Sequence, residues 1–243
     1  MPPRTLDTSI SLYARTAGVG YLVIIATGIF AEFFVRSSLM VPGDPAATAM
    51  NISASEILFR TGLAAELVML TCDVFLALAL YVVFKEVSRS LALLAAFFRL
   101  SHAAIVGGNL LFTYIPLLLV GQGNDLAGLG VDASRALALV LLEAHGYGYT
   151  IGLVFFGVHC FVLGYLAFRS GYVPRVLGGL LVVASFGYLV DSFARTLLPR
   201  YADHEGLFTL VVFVPAFVAE LSFALWLLLK GVPPGTVFRR ARA

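Results

Sequence analysis

"FTLVVFVPAFVAELSFALWLLLK", residues 208–230, decides the class of this protein. The stretch carries one acid, Glu220, and no base until Lys230 closes it. About 20 apolar residues, rising about 1.5 Å each, cross the hydrocarbon core of a bilayer. A soluble helix of that length would show a polar face. Five further runs have the same character: 16–38, 59–84, 91–118, 136–168 and 174–197. They predict an all-α, polytopic membrane protein with six transmembrane helices. Composition agrees, since 60% of the 243 residues are hydrophobic, 12% are charged and mean hydropathy is +0.96. The third and fourth runs exceed the spanning length, so a bend is expected near Pro116 and near Gly146 and Gly148.

The connections sort by charge. "FKEVSRS" and "FRSGYVPR" are short and basic, whereas "MVPGDPAATAMNISASE", "GQGNDLAGLGVDASR" and "PRYADHEG" are longer and more acidic. The positive-inside rule therefore puts both termini in the cytoplasm. The division expected is a short cytoplasmic segment 1–14, a six-helix domain 15–232 and a basic tail 233–243 with Arg239, Arg240 and Arg242. A net charge of +2 with scattered Lys and Arg argues against nucleic acid as a partner and leaves the lipid bilayer. Cys72 and Cys160 fall inside apolar runs, where a thiol packs as a small hydrophobe.

Short echoes suggest hairpins repeated in parallel orientation. "AEFFVR" at 31–36 matches "VDSFAR" at 190–195, "LAAEL" at 63–67 matches "FVAEL" at 217–221, and "ALYVVFKEV" matches "ALWLLLKGV". Some transporters place their binding site at such a repeat interface.

An ionisable side chain at the bilayer centre costs about 2.5–3.5 kcal/mol, so each one within a span needs a partner, water or a function. Depth along the helices separates two layers. Glu32, Glu66, Glu143, His145, Asp191 and Arg195 belong to the outer half, with Tyr149 on the stripe of His145; Asp73, Arg99, His102, His159 and Glu220 lie nearer the middle or the inner half. His145 and His159 share one face of their helix but stand about 21 Å apart along it, too far for one metal site. The outer layer reads as a ligand or ion site, or as a brace of Arg36 on Glu32 and Arg195 on Asp191. A divalent metal held by Glu66, His145 and Asp191 is a further option, with Glu32 or Glu143 as base. In the inner layer Asp73 is expected to pair with Arg99, leaving His102, His159 and Glu220 for a proton path or for bonds to backbone carbonyls. Haem ligation is disfavoured, because histidines do not face each other at two depths.

Several landmarks in order, "GIFAEFFVRSSLMVPGD", "SLALLAAFFRL", "LEAHGYGY", "GLVFFGVHC", "FRSGYVPRVLG" and "GYLVDSFAR", resemble the bacterial integral-membrane family known as domain of unknown function 4386. The resemblance runs from Arg15 to Val232. It implies a compact multi-helix protein of a bacterial inner membrane and carries no activity or cofactor with it. Glu32, Arg36, Arg99, Glu143, His145, His159, Asp191 and Arg195 match the family pattern, without a role. The functions weighed are a small-molecule or ion transporter with an outward-facing polar cavity, an intramembrane metal-dependent hydrolase of lipid-like substrates, and a non-catalytic assembly subunit. Polar groups at more than one depth favour the first.

Overall fold

A computed structural model describes residues 3–121 and 128–232. The tail 233–243 and part of the "GQGNDLAGLGVDASR" connection lie outside the described residues. Helix α1 (Pro3–Ile29) continues into a π-helical stretch, Phe30–Arg36, and a last α-turn, α2 (Ser37–Leu39). There follow α3 (Pro45–Ala54), α4 (Glu56–Phe84), α5 (Arg89–Asn109), α6 (Leu111–Val120), α7 (Val131–Ser170), α8 (Arg175–Leu197), a 3-10 turn (Tyr201–His204) and α9 (Glu205–Leu229). No strand occurs among the described residues. Six stretches are long and apolar enough to cross a membrane: Ile10–Leu39, Glu56–Phe84, Arg89–Val120, Val131–Ser170, Arg175–Leu197 and Gly206–Leu229. Large apolar side chains such as Ile57, Phe75, Val176 and Leu229 lie open on their helices, as expected where the solvent is lipid.

Three details refine the sequence reading. The segment expected ahead of the first span is already helical from Pro3 and continuous with α1. The connection after the first span contains α3, because Asp44 caps it by accepting the Ala47 amide at 2.9 Å and Pro45 fits the first helical turn. The third span does break, at Leu110, between two glycines and Pro116. Gly146 and Gly148, by contrast, leave α7 unbroken.

The chain divides into two compact units. The first comprises Met1–Val23, Cys72–Ala103 and Ile151–Ala243; the second comprises Ile24–Thr71 and Ala104–Thr150. In the first unit small residues allow helices to meet backbone to backbone. A Cβ on Gly18 would lie 2.6 Å from the Leu228 nitrogen, and one on Gly178 would lie 2.6 Å from the Phe168 nitrogen. The α7–α8 hairpin turns through Gly171 at φ +75°, and the Ser170 hydroxyl accepts the Val173 amide at 3.0 Å. In the second unit α3 is tied down by Asn51, whose amide donates to the Leu39 carbonyl, and by Ser53, whose hydroxyl donates to the Val120 carbonyl.

Candidate functional site

Each unit contains one arginine that joins a carboxylate to an imidazole. In the first unit this is Arg99 of α5. Its Nη2 meets Asp73 Oδ1 of α4 at 2.5 Å, and its Nη1 donates to His159 Nε2 of α7 at 3.0 Å. A guanidinium has only donors, so this Nε2 accepts, and His159 Nδ1 donates to the Ala95 carbonyl at 2.8 Å. The ring is thereby held as one neutral tautomer. The Arg99 guanidinium lies over the rings of Tyr21 and Phe156, at 5.0 and 5.3 Å from their centroids, and its side chain is 0% exposed. His102 meets the Gly152 carbonyl at 3.0 Å, and Tyr188 donates to Glu220 at 2.6 Å. The expected Asp73–Arg99 pair is therefore present. His102 and His159 bond to backbone carbonyls, the second of the two readings open to them.

In the second unit the same plan recurs around Arg36. Its Nη2 donates to Glu66 Oε1 of α4 at 2.8 Å, its Nη1 donates to His145 Nδ1 of α7 at 2.6 Å, and its Nε stands 3.0 Å from Glu32 Oε2. Arg36 and Glu32 sit on the π-helical stretch, whose i→i+5 bonding is seen in the Ser37 amide reaching the Glu32 carbonyl. Such stretches recur at functional sites, where the wider turn re-aims side chains. Tyr149 packs edge-on against His145, with centroids 6.2 Å apart. Asn109, at the end of α5, donates to the His145 carbonyl at 2.8 Å.

Gly148 exists for that last contact. A Cβ there would fall on the Asn109 carboxamide. We expect Gly148→Ala to lower stability by about 1–3 kcal/mol, since it displaces Asn109 from a buried acceptor. Unfolding of detergent-solubilised protein measures this. Asn109→Ala combined with Gly148→Ala should cost less than the sum of the two single changes, because the new methyl fills space the carboxamide vacates.

The two clusters differ in closure. Glu66 is 6% exposed and Thr113 of α6 is 8% exposed, yet Glu66 Oε2 and Thr113 Oγ1 have no hydrogen-bond partner among the described residues. Thr113 does not make the usual bond back to the preceding turn, where the break at Leu110 interrupts the helix. Both residues line a cavity of about 20 Å³ together with Arg36, Ala31, Val35 and Phe59, which is room for one water-sized group. The edge of the cluster is open, with the Arg36 side chain 20% and Glu32 54% exposed.

The model of the family described as Domain of unknown function (DUF4386) matches residues 16–231. The chain belongs to the DUF4386 family. An uncharacterized protein of the archaeon Archaeoglobus fulgidus is 34% identical over 159 residues, which cover 65% of this chain and 76% of the relative. No solved structure matches.

Of the outer-layer residues read from the sequence, this DUF4386 chain brings Glu32, Glu66 and His145 to one guanidinium, with Tyr149 beside them. Glu143 is exposed on α7. Asp191 and Arg195 belong to the first unit. There Tyr201 donates to Asp191 at 2.7 Å and Arg195 lies 5.5 Å from the Tyr201 ring centroid, so both side chains meet at that tyrosine. Among the described residues no three His, Cys, Asp or Glu side chains are grouped to hold a metal ion. Arg36 stands between Glu66 and His145 and engages Glu66 Oε1 and His145 Nδ1. Arg36 enters the sequence reading only as a brace for Glu32 and as a residue of the family pattern, and Thr113 carries no sequence signal of its own.

Proposed function

We propose that this DUF4386 chain is a membrane carrier for an ion or small molecule, with the Arg36, Glu66 and His145 cluster as its binding site. One observation carries the reading: buried oxygens of Glu66 and Thr113 stand unpartnered on a cavity beside Arg36. A buried polar group without a partner costs about 1–3 kcal/mol, so a site that keeps two of them has a use for them. An intramembrane carboxylate is by default a pathway residue. The Arg99 cluster also holds an unpartnered buried atom, the Arg99 Nε donor, but its one positive charge is balanced by the one carboxylate of Asp73 and both side chains are buried. It is wrapped in aromatic rings and serves as a brace. With both termini in the cytoplasmic face of the inner membrane, the Arg36 cluster opens outward.

The test is charge movement. Full-length protein in liposomes on a solid-supported electrode is exposed to rapid exchanges of protons, sodium, ammonium and acetate. At least one exchange should give a transient current in the wild type that is abolished in Glu66→Gln protein of unchanged helicity and elution. Silence in every exchange, or equal currents in the variant, would contradict the carrier.

A further inference from the structure

The size and charge of the Arg36 cluster narrow what it takes. Two carboxylates, Glu32 and Glu66, face one guanidinium, and His145 is held as an acceptor by Arg36 Nη1. The cluster therefore carries one net negative charge, in a part of the chain that crosses lipid. One added positive charge makes it neutral, and neutrality is what a low-dielectric surrounding favours.

The cavity of about 20 Å³ admits a water-sized group and no organic ligand. A bare alkali cation there would lie against Arg36, which lines the same space, and would find few oxygens to replace its hydration shell. A proton has neither difficulty. It needs one basic atom, and Glu66 Oε2 is the anionic oxygen that nothing else engages, since Oε1 is held by Arg36.

We infer that Glu66 Oε2 and Thr113 Oγ1 form a proton-loading site, so that the carrier is coupled to protons. The step balances simply. A proton from bulk water bonds to Glu66 Oε2, the carboxylate becomes a neutral acid, and its new O–H has the Thr113 hydroxyl oxygen as acceptor across the cavity. Loading removes the charge that holds Arg36 Nη2 and leaves Arg36 balanced by Glu32 alone. The release of one guanidinium edge is the event that would couple loading to movement of the rest of the site. The groups facing Glu66 are Arg36 and Glu32 from the π-helical stretch and His145 from α7; α6 offers only the Thr113 hydroxyl.

The inference rests on the Arg36 cluster being the site, and it fails separately from that reading. Infrared difference spectra of the full chain in nanodiscs, acid minus neutral, follow the carbonyl stretch of a protonated carboxylic acid. The wild type should show this band, Glu66→Gln should lose it, Glu66→Asp should keep it, and Thr113→Val should shift it through loss of the acceptor. Absence of the band in the wild type, or its survival in Glu66→Gln, would overturn the assignment. So would suppression of the band when sodium chloride replaces potassium chloride, because the site then takes an alkali cation. In that last case sodium currents in the electrode experiment would persist and the carrier would stand.

Discussion

Asp73→Ala should lower the unfolding free energy by about 3–5 kcal/mol, the cost of leaving a buried charge without its counter-ion. Arg99 is fully buried and Asp73 is its only carboxylate contact among the described ion pairs. What would remain around the guanidinium is His159 Nε2, the Tyr21 hydroxyl at 3.5 Å and two ring faces, all neutral. These can orient a cation but cannot balance it. Replacing both partners, as Asp73→Leu with Arg99→Met, should recover most of the loss, because apolar side chains of similar volume remove the charge together with its need. Reversible unfolding in mixed micelles reads both numbers. A single Asp73→Ala variant as stable as the wild type would mean that water reaches Arg99.

The second large effect is expected at Gly178. A Cβ at this position meets backbone on two sides, the Phe168 nitrogen at 2.6 Å and the Gly164 carbonyl at 2.7 Å. Backbone cannot swing aside as a side-chain end does, so α7 and α8 must separate. Gly178→Ala should cost about 3 kcal/mol, the upper part of the range for overpacking. The adjacent Gly179 has nothing among the described residues within 4 Å of a Cβ. Gly179→Ala should therefore be neutral or stabilising by up to about 1 kcal/mol, through helix propensity alone. The pair is its own control, since both changes add one methyl to the same helix.

Those glycines illustrate what could and could not be read from the sequence. The apolar runs located six spanning helices, because lipid imposes a length and a composition on each. The break in the third span was legible in Pro116, and the Asp73–Arg99 pair in the cost of leaving either residue alone. Local signals mark other features. Asp44 before Pro45 signals a helix start inside the connection after the first span. The π-helical turn has no residue signature, and a 3.6-residue period hides it. The partner of Glu66 is the least legible feature. A sequence tells which positions are expensive in lipid and says little about which helices face one another. Arg36, 30 residues away on another helix, was therefore assigned to its near neighbour Glu32 and not to the carboxylate it also holds.

The same limit explains Asp191 and Arg195. Their spacing of one turn suggested a mutual pair or one wall of a pocket, but the residue they both meet, Tyr201, comes from the connection after α8. Its aromatic ring and hydroxyl serve two neighbours at once. Sequence spacing along one helix cannot reveal a partner supplied by the loop that follows.

Two arginine-centred clusters of one plan, one closed and one open, make the central claim testable by a direct comparison. Transient current and unfolding midpoint should be measured on Glu66→Gln and Asp73→Asn side by side. Glu66→Gln should keep the wild-type midpoint and lose the current, whereas Asp73→Asn should lower the midpoint while its folded fraction carries the current of the wild type. Wild-type current in Glu66→Gln, or loss of current in a fully folded Asp73→Asn, would contradict the division of roles between the open cluster and the closed one.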